Sequence, residues 1–287
     1  MIRGFEHFVT LTLLAEALRK THLAVMRVNV AQVSEDADYV KVRNMCDNSQ
    51  GWKEVYHKKM ITVYAQKVPS SNFQMIKAVA KFPDVTSDVA YDVLHDSTYR
   101  DHWDRHMAAQ CYIGMVNGNS DIEYYAISGI PPVRARDFVM QRSWLDTGYE
   151  KLIFSHSVCH QDYPPVKGYI RGTALLTAYL VRPFNKEGCQ ITYISHLDPK
   201  GKLPTWLINR LTRVIAPKIV KRLHKACIAY PEWKKHNQPN FKPWIYAEQQ
   251  VDFPRVDLAK CHAQEYEQEV TDESTAPPKV ADDEDED

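Results

Sequence analysis

The sequence predicts an α+β domain: a curved antiparallel sheet that grips one long C-terminal helix. Three observations carry this. The middle of the 287-residue chain is a series of short β-compatible segments separated by turn residues. Two short helical signals interrupt that series near its start. One long amphipathic stretch follows the last strand.

The elements follow in order. Residues 5–29 hold one or two helical turns. Residues 5–18 are apolar apart from Glu6, His7 and Glu16, and no small-residue cleavage site follows, which favours a packing helix or variable leader over a signal peptide. Ser34 to Gln50 is polar and is expected as a loop. Strands are expected at Ile61–Tyr64 and Phe73–Phe82. Thr86 or Ser87 can cap a helix running to about His95, and Asp96-Ser97-Thr98 starts a second short helix through Trp103. Further strands are expected at Glu123–Ser128, Asp137–Trp144, Lys151–Val158, Gly168–Val181 and Gln190–His196. The last element is a helix from about Pro204 to Tyr230, with Pro204 at its tolerated first position and Pro217 kinking its interior. The chain therefore divides into an N-terminal segment 1–50, a main domain 51–235 and a C-terminal extension 236–287, disordered and acidic from about 265.

Composition excludes several classes. With 44% hydrophobic and 25% charged residues the chain is globular, neither fibrous nor wholly disordered. Its 36 basic and 36 acidic side chains balance, against a nucleic-acid binder. Six scattered cysteines without C-x-x-C spacing read as reduced thiols of a cytoplasmic protein. No apolar run reaches the roughly 18–20 residues a membrane span needs. The balance hides an asymmetry: Pro199 to Pro231 carries eight bases and no acid, whereas Glu265 to Asp287 carries eleven acids and one base.

Four motifs, in order, carry a family resemblance. Asp96 to Asp104 (DSTYRDHWD) resembles the D-x-x-Y-R-x-x-W-D signature of START (StAR-related lipid transfer) domains. Arg136-Asp137-Phe138-Val139 and Gly168-Tyr169-Ile170-Arg171 resemble two of their strand starts. Asp198 to Asn209 (DPKGKLPTWLIN) resembles the entry to their C-terminal helix, with Ala226-Cys227 and Tyr230 at its end. The best match is the branch that includes phosphatidylcholine transfer protein.

The resemblance implies a helix-grip fold enclosing one lipid in a tunnel, without chemistry on it and without a cofactor. It places Arg100 and Asp104 at a lipid phosphate. Arginine offers phosphate a bidentate fork, and an aspartate one turn away can orient it. Read by spacing alone, the two residues are equally a structural ion pair. The resemblance also maps an aromatic cage for choline onto Tyr125, Phe138 and Leu175. The third position is aliphatic, so the cage is incomplete and a dual phosphatidylcholine and phosphatidylethanolamine binder is expected. Without the resemblance, Tyr125 and Phe138 read as core aromatics. Thr177 stands where relatives carry a longer amide, which implies looser phosphate coordination. A sterol- or ceramide-binding START protein and a lipid-sensing interaction module are the alternatives.

The C-terminal helix carries a membrane-docking expectation. Arg210, Arg213, Lys218, Lys221, Arg222 and Lys225 fall on one half of its circumference, and Ile215, Ala216, Ile219, Val220, Leu223, Ala226 and Cys227 on the other. A basic face attracts anionic leaflets. The loop Ile130-Pro131-Pro132-Val133 or this helix is the candidate gate. The acidic tail is expected to compete for the basic face, with Thr271 a partial acidophilic phosphorylation match. The resulting expectation is a cytoplasmic, transiently membrane-associated monomer that is no enzyme. His102 and His106 have the i, i+4 spacing of metal ligands but no further ligand joins them, and no nucleophile elbow, P-loop or dinucleotide fingerprint occurs.

Overall fold

The computed structural model describes residues 27–69, 71, 73–270 and 272–278. The helical turns expected in 5–29, Thr271 and the acids from Asp282 onward fall outside the described residues, except for 27–29.

The segment 34–50 is not the expected loop but contains α1, Asp36–Asp47. Glu35 and Asp38 form a capping box at its start. Its composition is polar, yet Tyr39, Val42 and Cys46 make a buried stripe against Leu152, Phe154, Leu176 and Leu180 on the outer face of the sheet. Lys77 closes the other end: its Nζ donates to the carbonyls of Cys46 at 3.2 Å and Asn48 at 2.5 Å.

The strands up to the C-terminal helix are β1 Lys53–Lys58, β2 Ile61–Gln66, β3 Met75–Phe82, β4 Met107–Asn117, β5 Ser120–Ile127, β6 Ala135–Asp146, β7 Lys151–Ser157, the short β8 Cys159–His160 and β9 Tyr169–Arg171, β10 Thr173–Phe184 and β11 Gly188–Asp198, all but β8 in one large sheet. Its order is β1-β2-β3-β11-β10-β7-β6-β5-β4, antiparallel throughout, with β9 added in parallel to β6. β8 stands apart and pairs with a later strand. The two strands of this large sheet absent from the sequence reading, β1 and β4, are its two edges. Edge strands bury little, so the alternation that betrays a strand is weak there.

The single strand expected over 168–181 is broken at Gly172. A Cβ there would lie 2.5 Å from Phe138 Cε1, so only glycine lets the chain pass from β9 into β10 under that ring.

Between β3 and β4 lie α2, Ser87–His95, and a 3₁₀ turn, Ser97–His102. Thr86 caps α2 by accepting from Val89 N at 3.3 Å, as its sequence predicts. The C-terminal helix begins with α3, Thr205–Arg210, passes through a π-turn at Leu211–Ile215 and continues as α4, Ala216–His236. Pro217 therefore opens α4 rather than kinking a continuous helix: the widened turn before it absorbs the missing N–H. Leu223, Ala226, Cys227 and Tyr230 of α4 pack with Tyr99, Trp103, Trp144 and Ile153 into the core between the helices and the inner face of the sheet.

After α4 the chain becomes a strap. Lys242 Nζ and Trp244 Nε1 donate to Asp92 at 2.6 and 2.8 Å. Val256 N donates to Met115 O on the edge strand at 2.9 Å, and β12, Cys261–His262, pairs with β8. Gln268 then exchanges two hydrogen bonds with the Arg171 backbone, at 2.9 and 2.7 Å. The expected disorder from about 265 is thus corrected for the described residues. Glu265 accepts from Lys200 at 2.9 Å and Thr173 at 3.1 Å, and Glu273 is buried. Composition reported an acidic tail; the folded domain supplies its cationic partners.

Candidate functional site

The 3₁₀ turn is anchored at its N-cap, Asp96. Asp96 accepts from Thr98 N at 3.2 Å, from Tyr230 Oη at 2.9 Å and from Lys234 Nζ at 2.8 Å. Tyr99 faces α4, where its hydroxyl donates to Ala226 O at 3.1 Å and its ring lies 4.6 Å from that of Trp233. The next residue, Arg100, faces the sheet. Its guanidinium lies 5.0 Å from the Trp103 ring centre and 5.6 Å from that of Tyr125.

The Arg100 guanidinium makes no hydrogen bond and no ion pair among the described residues, its polar contacts being these two ring faces. Five donors are thus unused inside the fold. Protein surrounds Arg100, Tyr125, Tyr179 and Tyr193 closely, yet each keeps accessible surface. Burial works against the charge on Arg100, but Glu123, then Tyr125, Tyr179 and Asp104, hold its pKa above the usual arginine value.

The Asp104 side chain does not pair with that of Arg100, although Asp104 N donates to Arg100 O at 3.0 Å and so keeps the one-turn spacing. It is 8% exposed, and its Oδ2 accepts from Tyr125 Oη at 2.7 Å. Burial first, and Asp104 next, push the Tyr125 phenol well above its usual pKa. Asp104 thereby fixes the ring on which Arg100 rests.

Tyr125 on β5 and Phe138 on β6 are direct cross-strand partners. Phe138 is buried, its ring edge filling the space Gly172 leaves. Leu175 falls at a β-bulge: Ala174 pairs with Leu197 and Leu176 with His196, so Leu175 has no ladder partner. Thr177 lies in a different cross-strand row, which runs Asp121, Arg142, Ser155, Thr177. In that row Arg142 holds Asp121 bidentately, at 2.6 and 3.1 Å. Burial pushes the Asp121 carboxyl up, with Arg142 opposing it.

Three residues of this face escaped the sequence reading. Tyr179 and Tyr193 are cross-strand partners with ring centres 4.7 Å apart, and both are in electrostatic reach of Arg100 and Asp104. The signal was a polar-tipped aromatic at an alternate position of an otherwise apolar strand. The third, Glu123, is a carboxylate two residues before Tyr125 on β5.

A second cluster joins loops at one end of the fold. Arg136, 4% exposed, donates to Glu273 at 2.7 Å, to Arg134 O at 2.7 Å and to Pro199 O at 3.0 Å. Glu273 also accepts from Arg134 N at 2.8 Å, and Trp206 Nε1 donates to Ala276 O at 2.7 Å. The strap thus ties the 130–134 loop to the start of α3. The described tail acids meet Arg136, Lys200 and Lys202. On that helix Arg213, Lys221 and Lys225 are exposed and Arg210, Lys218 and Arg222 are half-buried. Beside them Ile208, Leu211 and Val214 are 36–39% exposed. Among the described residues no cluster of three or more His, Cys, Asp or Glu could hold a metal ion, and no helix is long and apolar enough to cross a membrane.

Comparison with known proteins agrees with this geometry. The START domain family model matches residues 32–234, which takes in α1. Mouse START domain-containing protein 10 is 39% identical over 219 residues, 76% of this chain and 75% of the relative. Bovine phosphatidylcholine transfer protein is 25% identical over 183 residues, 62% of this chain and 85% of its own length. A crystal structure of human STARD10 superposes with a TM-score of 0.76 at 36% identity, covering 82% of this chain and 96% of that one.

Proposed function

Because this chain belongs to the START domain family, we propose that it is a phospholipid carrier, binding one phosphatidylcholine or phosphatidylethanolamine and exchanging it between membranes without chemistry on the lipid. One observation carries this reading: a half-buried arginine side chain with no hydrogen-bond partner among the described residues, resting on two aromatic rings between the sheet and the C-terminal helix. An unpaired guanidinium is costly to bury, and a lipid phosphodiester supplies its missing acceptors. Tyr125 and Phe138 line the headgroup end, with Leu175 and Thr177 further along the same sheet.

Docking is assigned to the C-terminal helix. Exposed Ile208, Leu211 and Val214 give interfacial burial, and the basic residues from Arg210 to Lys225 give attraction to an anionic leaflet. The lipid passes between the 130–134 loop and α3. The protein acts as a cytoplasmic monomer with no cofactor.

Native mass spectrometry after incubation with mixed vesicles tests the reading. One glycerophospholipid per chain is expected, with loss of loading in Arg100→Ala. Uptake of a sterol or ceramide instead overturns the headgroup assignment, and no uptake of any lipid overturns carriage.

A further inference from the structure

The inner face carries a second buried charge that the fold leaves without a partner. Glu123 lies mid-strand on β5 and is 8% exposed. Its side chain shares a face with Tyr125, two residues on and about 7 Å away along the strand. Its cross-strand neighbours on that face are Met140 on β6 and Tyr112 on β4, neither of which offers a charge. Among the described residues its carboxylate accepts no hydrogen bond and joins no ion pair.

The surrounding charges are accounted for. Two residues before it, Asp121 is held bidentately by Arg142, whose guanidinium is also in electrostatic reach of Glu123 but makes no ion pair with it. On the other side stands Arg100, in electrostatic reach of Glu123 but forming no ion pair with it. The fold thus presents one unfilled cation and one unfilled anion, linked by the Tyr125 ring that Arg100 covers. A carboxylate and a guanidinium held inside the fold without partners both gain from a ligand that supplies them. A ligand with an anion at one end and an ammonium at the other satisfies both.

We propose that Glu123 is the specificity-determining residue of the headgroup site, accepting hydrogen bonds from a primary ammonium while Arg100 holds the phosphate. A trimethylammonium has no N–H to donate and gains only charge attraction, whereas ethanolamine brings three donors. Phosphatidylethanolamine is therefore favoured over phosphatidylcholine. The assignment rests on the carrier reading above and deepens it.

The test is competitive loading from vesicles that hold equal amounts of phosphatidylethanolamine, its N-methyl and N,N-dimethyl derivatives and phosphatidylcholine, read by native mass spectrometry. The wild-type protein is expected to load less of each species as methyl groups are added. Glu123→Gln should lower the ratio of ethanolamine to choline lipid at least fivefold, and Glu123→Asp should keep the preference. A flat methylation series in the wild type overturns the proposal. So does an unchanged ratio in a Glu123→Gln protein with native near-ultraviolet circular dichroism. Should Glu123→Gln not fold, the methylation series on the wild type decides alone. Failure of the wild type to load any of the four lipids overturns the carrier reading itself, which separates the two failures.

Discussion

Asp104 accepts the Tyr125 hydroxyl at 2.7 Å, and the ring so held carries the Arg100 guanidinium 5.6 Å from its centre. The aspartate acts on the arginine through a phenol, not through an ion pair. Arg100 itself stabilises nothing by hydrogen bonding. Arg100→Ala should therefore leave the melting temperature unchanged or raise it while lipid transfer between vesicles falls at least tenfold. A variant that unfolds, or one that transfers normally, contradicts the assignment.

Tyr125→Phe should behave differently. It leaves the Asp104 carboxylate buried without a donor, which costs about 1.5–3 kcal/mol. Asp104→Asn keeps an acceptor for the phenol and should lose less. Urea unfolding of the two variants against wild type gives the order directly.

The buried pair Arg136–Glu273, 2.7 Å apart with both side chains nearly inaccessible, joins the strap to the 130–134 loop. Glu273→Ala should destabilise by about 3 kcal/mol, because it abandons a buried guanidinium. Replacing both partners, with Arg136→Met and Glu273→Leu, should recover much of that loss. Equal denaturation midpoints for Glu273→Ala and wild type would show that the strap does not hold the loop.

Acid should weaken the fold through His156. Its two ring nitrogens are buried with no partner, and burial lowers its pKa from 6.5 to about 4. The unfolded chain protonates first, so the contribution of His156 is intact above pH 6.5 and is lost as pH falls toward 4. Between pH 6.5 and 5 this amounts to about 2 kcal/mol. His156→Phe removes the titrating group without leaving a polar partner unpaired, and unfolding curves at pH 7 and 5 should then differ less than for wild type.

Much of this was legible in the sequence. The signature Asp96 to Asp104 located the 3₁₀ turn and Arg100, Thr86 announced its cap, and alternating residues placed most of the sheet's inner strands. The misses have physical causes. β1 and β4 are edges that bury little, and α1 hides three buried residues within a polar composition. Tail acids such as Glu273 read as solvated because composition cannot see Arg136, which lies 137 residues earlier in the chain.

The local sequence determined where helices and strands begin, which helix is amphipathic and which arginine enters the fold, because caps, periodicity and turn residues act over a few positions. Only the tertiary structure decided who meets whom. That Asp104 holds Tyr125 rather than Arg100, that Arg142 is spent on Asp121, and that Glu123 is left unpaired beside Arg100 are consequences of cross-strand register. The energy of a buried charge depends on distances across the fold, and those are set only once the sheet has closed on its helix.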